Sequence, residues 1–515
     1  MFDLTYIGHA GWMIRKEGFK AIFDPWFNPN GTFLNSWHQF PDNSHIFRRE
    51  LFDDLDFLYI SHAHHDHCDL WTLERIDKQT TIVIPRFRDK TLKNTLQELG
   101  FVNIIQLPEN REKQFGQVRV QMIIEEGFND RDSGIVLDDG ENKIINLNDC
   151  HPSFEKIKKY SKNVDLLLLQ CSSAIWWPCV YDYDYDELIE KCKIKKRNVL
   201  SRAVQYGRHV KPKYLVPNAG PPLFLHEEFE FWDKTRREDF NPFPLHDEIH
   251  SHLIENGIPS LFVIPGSTVS LKNDVIKNYT DIQERDKIYE NLMEYILNQR
   301  EEKKQKKRLE GVSLPLPNMT KMIEKFSSLI QQIKRESIVF AHKIDFPVLI
   351  EFEEHSKWII DFTLDDKRCF EPYSDQDYMY GFVFNPSIVN YLINKKQIDF
   401  DEYFLSMRFK CFRKKDSYNE FLFTMFKNLD IESFKLSENI FLTNSIKKVN
   451  NLETFEIEVG GKKRRIQKYC PHKHVDLEKC GIIEGETIVC PLHNWKFDLN
   501  SGKCLTSDKY KLELL

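Results

Sequence analysis

The sequence lacks a strong excess of charge of either sign, a long apolar run and a regular cysteine framework. Lysine and arginine number 72 against 79 acidic residues, which argues against a nucleic-acid partner. No stretch of 18 apolar residues occurs, so we expect no membrane span. The start of the chain has no basic segment followed by an apolar run, and the eleven cysteines are an odd, scattered set. These absences predict a reducing compartment, the cytoplasm.

The residues that are present describe a globular protein with several domains. Hydrophobic residues make up 41% and charged residues 29% of the chain, which fits neither intrinsic disorder nor a fibrous protein. A chain of 515 residues is too long for one ordinary hydrophobic core, and its length favours about three domains.

Residues 1–272 alternate short apolar, β-branched runs with helical stretches, which predicts an α/β domain. Several runs are continuously apolar, so we expect two sheets buried on both faces and covered by helices. The long stretch 183–210 is predicted as a helix. The predicted strands are 4–7, 21–23, 57–61, 81–84, 118–124, 134–137, 143–147, 165–169 and 214–216.

Two further segments follow. Residues 273–435 predict a mixed, mainly helical extension that starts with a charged helical stretch to residue 310 and contains strands near 346–352 and 358–362. Residues 436–515 alternate Val, Ile and Thr with glycine turns, which is typical of a small all-β domain.

Metal-binding residue types recur near the end of the chain. Cys470 and His472 are followed, after 17 residues, by Cys490 and His493. Two thiolates and two imidazoles suit an iron–sulfur cluster in which the imidazoles remove negative charge and raise the reduction potential. A structural zinc ion uses the same ligand set and is the alternative.

The neighbours of these four residues resemble the Rieske pattern. A proline follows each cysteine, Trp495 and Phe497 follow the second pair, and residues 500–502 form a turn. The resemblance implies a [2Fe–2S] cluster held by Cys470, His472, Cys490 and His493. One departure is His474, at a position where Rieske proteins commonly have glycine.

A second group of metal-binding residues follows the apolar run 57–61 directly. Its spacing is His-x-His-x-Asp-His, contributed by His62, His64, Asp66 and His67. A loop at a strand end can fold such side chains around one or two metal ions, whereas a buried strand could not tolerate so many unpaired polar groups. His65 is expected to point away, and a cluster of surface histidines is the alternative.

This motif resembles the metallo-β-lactamase superfamily, which implies an αββα sandwich. Residues 8–11 and 22–25 look like the opening hairpin of that fold, and the resemblance implies that Asp24 orients a ligand histidine. It also implies a metal-bridging role for Asp149, which ends a predicted strand. The expected catalytic and metal-binding residues are therefore His62, His64, Asp66, His67 and Asp149.

Two histidines of hydrolytic superfamily members are missing. The first would stand before the strand that Asp149 ends, where this chain has Glu125 and Glu126. The second would stand near the end of the fold, where this chain has Asn218. We expect Glu125 or Glu126 to replace one ligand, because a site richer in oxygen donors suits iron better than zinc.

The two ligand sets in one chain predict an oxidoreductase, because hydrolytic zinc needs no electrons and a Rieske cluster transfers them singly. The chain also resembles the family of CMP-N-acetylneuraminate hydroxylases at 493–496, 149–150, 265–268 and 401–423, although known members carry the Rieske domain at the other end. This resemblance implies an O2-dependent monooxygenase with one or two non-haem iron ions.

No G-x-G-x-x-G loop occurs, so we expect the electrons to come from an external NAD(P)H-dependent reductase through a cytochrome b5-like, ferredoxin or flavin donor. A nucleotide sugar or another small polar molecule is the expected substrate. Arg202, Arg208, Lys211 and Lys213 are candidate contacts, and a solvated helix face is the alternative interpretation of these residues. The sequence leaves both a monomer and a homo-oligomer open as assembly states. The alternatives are a metallo-hydrolase with the Rieske domain as a redox sensor, and a non-catalytic electron-transfer protein.

Overall fold

The computed structural model describes residues 2–514 except 126–131, 174, 273–274, 310–313, 397, 399, 415–417, 450–452, 473–474 and 508, and omits the side chains of 444–449 and 462. The chain forms two compact units. The first comprises Met1–Glu126, Asp130–Ala174 and Cys192–Gly311, and the second includes Ile175–Lys191 and Val312–Leu515. The predicted domain boundaries at 272 and 435 are not the ones along which these units divide, and they stay predictions.

The first unit contains two β-sheets. Its fourteen strands are β1 (Phe2–Gly8), β2 (Gly11–Lys16), β3 (Phe19–Phe23), β4 (Phe57–Tyr59), β5 (Ile82–Pro85), β6 (Ile104–Leu107), β7 (Lys113–Phe115), β8 (Val118–Ile124), β9 (Ser133–Asp138), β10 (Lys143–Asn148), β11 (Leu166–Gln170), β12 (Tyr214–Asn218), β13 (Thr268–Lys272) and β14 (Val275–Tyr279). The strand orders are β14-β13-β1-β2-β3-β4-β5-β6 and β12-β11-β10-β9-β8-β7.

Helices accompany the two sheets. Those between Leu70 and Gln305 are α1 (Leu70–Leu73), α2 (Thr91–Glu98), α3 (Phe154–Lys158), α4 (Tyr185–Val210), α5 (Glu230–Lys234), α6 (His246–Glu255), α7 (Ile282–Glu290) and α8 (Leu292–Gln305). Each predicted strand of the first 272 residues overlaps an observed strand, and the predicted helix 183–210 coincides with α4.

The predicted αββα sandwich is confirmed by where the apolar side chains lie. Leu4 and Ile14 of the first sheet share one buried cluster with Met122 and Leu168 of the second. The opposite face of the first sheet buries its own cluster, to which Leu96 of α2 contributes. Burying one such side chain stabilises the fold by about 1.5–3 kcal/mol, so the sheet faces dominate the stability of this unit.

One segment of the charged stretch is not helical. Residues 275–279 form β14, which pairs antiparallel with β13 at the edge of the first sheet. All five of its side chains are exposed or only partly buried, so no apolar periodicity indicates a strand there. The pairing partner, and not the local pattern, determines its conformation.

The second unit begins with a mixed domain. Its elements are α9 (Met319–Glu336), α10 (Phe340–Lys343), β15 (Val348–Phe352), β16 (Ser356–Ile360), β17 (Phe370–Pro372), β18 (Tyr380–Phe384), α11 (Pro386–Ile393), α12 (Asp401–Leu405), β19 (Lys410–Arg413), α13 (Glu420–Lys427) and α14 (Ile431–Val449). The strands form one sheet in the order β17-β16-β15-β18-β19. The buried Glu438 carboxylate accepts hydrogen bonds from the backbone N–H groups of residues 338–340 and so fixes α10 to α14.

A small β-rich module ends the chain, as predicted. It contains β20 (Thr454–Val459), β21 (Lys462–Gln467), α15 (Leu477–Cys480), β22 (Ile482–Glu484), β23 (Thr487–Cys490) and β24 (Trp495–Asp498). The first two strands form a hairpin, and the last three form a sheet in chain order. In the part of the chain that the structure describes, none of the helices has the length and apolar character needed to cross a membrane.

Candidate metal centre

The ligand loop begins where β4 ends. Strands β3, β4 and β5 are parallel, so their carboxyl ends lie at the same edge of the first sheet. Asp24 follows β3 and Ser61 follows β4, and the loop carries His62, Asp66 and His67 as buried side chains. The apolar strands are buried on both faces, so the polar residues of this region lie at the strand ends.

Three groups of metal-binding atoms converge at this edge. Within each group, the candidate ligand atoms all lie within 4.8 Å of one another. The groups share members, so together they form one continuous site. They are His9–Asp66–His67, His62–His64–Asp132 and His62–His67–Asp149. The structure thus brings together all five predicted residues of the centre, including Asp149 from the loop after β10.

Several of these donor atoms have no hydrogen-bonding partner among the described residues. They are Oδ1 of Asp66, Nε2 of His67 and Oδ1 of Asp149, and all three atoms are buried. His67 Nε2 and Asp149 Oδ1 are 3.4 Å apart. That long contact is a weak substitute for a hydrogen bond, and Asp66 Oδ1 has none, so burying these atoms is costly and a bound cation would satisfy all three. The residues present therefore fit a metal ion.

Asp24 fixes the orientation of one of these histidines. Its Oδ2 atom is 2.9 Å from His67 Nδ1, and its two oxygens also accept hydrogen bonds from the Ser61 N–H and hydroxyl groups. The predicted contact between Asp24 and a histidine of the motif is confirmed. With Nδ1 facing a carboxylate, the Nε2 atom of His67 is the nitrogen that faces the site.

His9 is part of the centre and was not predicted. Its Nε2 atom is 2.9 Å from Asp66 Oδ2, and the two residues are 57 positions apart in the chain. His9 has a positive φ of 50°, in the turn between β1 and β2. A histidine at a hairpin turn beside a glycine was the signal available in the sequence.

The pKa values of the two central histidines, His62 and His67, are shifted in opposite directions. Burial and the neighbouring His67 and His64 hold the pKa of His62 well below its usual value, so its imidazole is neutral and able to bind a metal. Burial alone would lower the pKa of His67, but Asp66 and Asp149 hold it well above the usual value. Burial opposes ionisation of Asp66, yet His67 and His9 lower its pKa, so its carboxylate is ionised.

Glu125 differs in position from the other predicted ligands. Glu125 follows β8, and its Oε2 atom accepts a hydrogen bond of 2.7 Å from the backbone N–H of His151. It is in none of the three groups found among the described residues. Glu126 lies outside the described residues, so both glutamates stay predicted ligands. Asp132, which the sequence did not indicate, is the carboxylate beside His62 and His64.

His65 lies outside the three groups and stacks on Phe33, with ring centroids 6.4 Å apart. Asn218, at the position of the second missing histidine, belongs to a buried amide network. It accepts a hydrogen bond from Trp12 Nε1 and donates to Oδ1 of Asn146 and Asn148. The network holds the strand end that carries Asp149.

The second ligand set lies in the β-rich module. Cys470 and Cys490 are buried, and the rings of His472 and His493 are 5.1 Å apart. Contact with the Cys470 thiol, together with burial, raises the pKa of Cys490 well above its usual value. Metal ions take thiolates as ligands, so both buried thiols would lose their protons once a cation was bound. The four residues fit the donor set of a [2Fe–2S] cluster, whereas His474 lies outside the described residues.

Comparison with known protein families divides the chain into three matches. A β-lactamase superfamily domain matches residues 3–193, an Rv3818-like, SCP2-like domain matches 321–443, and a Rieske [2Fe–2S] domain matches 442–511. The last match places the Rieske domain at the carboxyl end, as the sequence predicts.

Individual proteins are similar over different lengths. A protein of Mycobacterium tuberculosis provisionally named a Rieske 2Fe-2S iron-sulfur protein is 29% identical over 99% of both chains. Cytidine monophosphate-N-acetylneuraminic acid hydroxylase of Mus musculus is 23% identical over 46% of this chain and 42% of its own. The crystal structure of CmlA, a diiron β-hydroxylase from Streptomyces venezuelae, covers 52% of this chain and 54% of its own, with 17% identity and a TM-score of 0.36.

Proposed function

We propose that this chain, in which a β-lactamase superfamily domain precedes an SCP2-like domain and a C-terminal Rieske [2Fe–2S] domain, is a Rieske-coupled non-haem iron monooxygenase. One observation carries the proposal: a single chain holds a carboxylate-rich histidine site and a site of two thiols and two imidazoles. A Rieske cluster transfers single electrons, and a hydrolytic metal centre has no use for them.

The donor set of the first site supports iron over zinc. Three histidines of the loop are joined by the carboxylates of Asp66, Asp132 and Asp149, and Glu125 or Glu126 would add another. Catalytic zinc sites also use histidine and carboxylate ligands, but two histidines with carboxylates and open positions are the typical donor set of non-haem iron centres that react with O2. One or two iron ions, held by these side chains, would supply the redox chemistry that O2 activation needs.

The proposed reaction balances with electrons from outside the chain. One O2, two electrons and two protons are consumed; one oxygen atom becomes a hydroxyl group on a substrate carbon, and the other leaves as water. The electrons would come from NAD(P)H through an external reductase with a cytochrome b5-like, ferredoxin or flavin donor. The hydroxylase of Mus musculus supports the reaction type, since its name states hydroxylation.

Arg202 supports an anionic substrate such as a nucleotide sugar. It lies on α4, one helical turn before Tyr206, whose hydroxyl donates to the Pro152 carbonyl in the loop that follows Asp149. Its guanidinium makes no hydrogen bond or ion pair with any residue that the structure describes. Burial lowers its pKa, while Tyr206, Cys171, Glu125 and Asp149 partly offset that effect, and the last of these is a predicted metal ligand.

The experiment combines metal counting with EPR and Mössbauer spectroscopy on the reduced full-length protein, and with NADH-dependent oxygen uptake in the presence of a generic reductase. His62→Ala should abolish the uptake and leave the cluster signal intact, while the exposed His45→Ala serves as a matched control. Cys490→Ser should remove the cluster signal, whereas Cys480→Ser should retain it.

Two results would overturn the proposal. Zinc in the first site of the purified protein, with no oxygen uptake, would favour the metallo-hydrolase with the Rieske domain as a redox sensor. A first site without any metal would favour a non-catalytic electron-transfer protein.

A further inference from the structure

A carboxylate from outside the Rieske module faces one of the predicted cluster ligands. Glu420 is the first residue of α13, in the mixed domain that precedes the module. Its Oε2 atom is 3.7 Å from Nε2 of His472, and the two side chains are only 12% and 14% exposed. A contact of this kind is screened little by solvent.

The His472 ring is held in one orientation. It stacks on Trp495 with ring centroids 3.8 Å apart and an interplanar angle of 4°. Tyr510 packs against both rings at interplanar angles of 67° and 69°, with its centroid 5.9 Å from that of His472 and 5.0 Å from that of Trp495. Since the ring plane is fixed, its Nε2 edge stays directed at Glu420 and its Nδ1 atom remains as the other donor.

The position of Glu420 is equally well defined. The preceding residue, Asn419, caps α13 by accepting a hydrogen bond from the Leu422 N–H, and its amide donates to the Lys343 carbonyl. The Asn419 N–H donates to the Tyr380 hydroxyl. These bonds fix the first turn of α13 and hence the backbone that carries the Glu420 side chain.

Other contacts hold the Rieske module against the mixed domain. Lys509 forms an ion pair of 2.6 Å with Asp345, and the Tyr418 N–H donates to the Thr506 carbonyl at 3.4 Å. The contact between Glu420 and His472 is therefore one part of a larger interface within the second unit.

We propose that Glu420 is a positioning residue of the iron–sulfur centre that acts through His472 and lowers the reduction potential of the cluster. A metal-bound histidine commonly presents its second ring nitrogen to a carboxylate, which orients the ring and makes it a stronger donor. Reduction adds negative charge to the cluster, and a fixed carboxylate nearby opposes that addition. The proposal rests on the cluster, and not on the oxygenase reaction.

The test is a redox titration of the full-length protein, followed by the EPR signal of the reduced cluster. Glu420→Gln removes the charge at nearly constant size and should favour reduction about tenfold, which is ~59 mV for a one-electron couple. The control is Glu484→Gln, which removes an exposed carboxylate from β22 of the same module and should shift the potential much less.

A second variant covers the case in which Glu420→Gln does not assemble its cluster. Glu420→Asp keeps the charge but draws it back by one methylene group, so the potential should lie above that of the wild type and below that of Glu420→Gln. An equal potential in the wild type and Glu420→Asp, or equal shifts in Glu420→Gln and Glu484→Gln, would overturn the proposal. Oxygen uptake does not enter these outcomes, so a failure here is distinct from a failure of the proposed function.

Discussion

The contact between Asp24 and His67 gives a sharp test of the metal centre. We consider the substitution Asp24→Asn, which changes one oxygen into an amide nitrogen at a fully buried position. In the wild type, the Asp24 carboxylate accepts from His67 Nδ1–H at 2.9 Å, so once a metal ion displaces the Nε2 proton, the lone pair of His67 Nε2 is directed at the site. An asparagine amide would instead donate to Nδ1. The imidazole would then carry its proton on Nε2, where it cannot bind a metal ion.

The expected effect is on metal affinity. Losing a partner that orients a ligand histidine typically costs 10–100-fold in affinity, which is about 1.4–2.7 kcal/mol. The assay is anaerobic Fe(II) binding to the full-length protein in competition with a coloured chelator, with the cluster iron counted separately by EPR. The remaining amide oxygen keeps the bond from the Ser61 N–H, and the Ser61 hydroxyl, which donates to the replaced oxygen in the wild type, can instead accept from the second amide N–H, so the fold should survive.

The matched control is Asp56→Asn. Asp56 precedes β4 and accepts a hydrogen bond from the Lys20 N–H, but it contacts none of the metal-binding residues among those described. We expect its Fe(II) affinity to equal that of the wild type. Fe(II) affinity of Asp24→Asn within threefold of the control, in a protein with an unchanged circular dichroism spectrum, would refute the reasoning.

Two further predictions concern Arg202 and His246. If Arg202 binds an anionic substrate group, a nucleoside monophosphate should raise the Tm of the wild type and of the exposed control Arg111→Gln but not that of Arg202→Gln. The reason is that a hydrogen bond to a charged group is worth about 1.5–3 kcal/mol. Equal shifts in all three proteins would contradict this role. Burial lowers the pKa of His246 to about 4, whereas the unfolded chain titrates near 6.5, so stability falls as the pH drops from 6.5 towards 4. The free energy of unfolding should fall by about 2 kcal/mol more between pH 7 and pH 5 in the wild type than in His246→Gln. Equal losses in urea denaturation would show that this histidine does not titrate as expected.

Much of the first unit follows from local sequence. The continuous apolar runs predict the buried strands correctly because burial on both faces leaves no room for polar residues. The edge strand β14 was missed, since its side chains carry no periodic pattern and its conformation comes from pairing with β13. The same limit applies to Asp132, which joins the candidate metal centre without any recognisable spacing, whereas a histidine beside a glycine at a hairpin turn was the one signal for His9.

The sequence alone determined which ligand types stand together in both candidate centres, because the residues of each loop lie within a few positions of one another and their spacing is set by the chain itself. His62, His64, Asp66 and His67 are such a set, and so are the two Cys–His pairs. Only the tertiary structure decided which distant groups surround these ligands. His9 reaches Asp66 across 57 positions, and Glu420 reaches His472 from another domain, because sheet pairing and helix packing bring together residues that no local pattern relates.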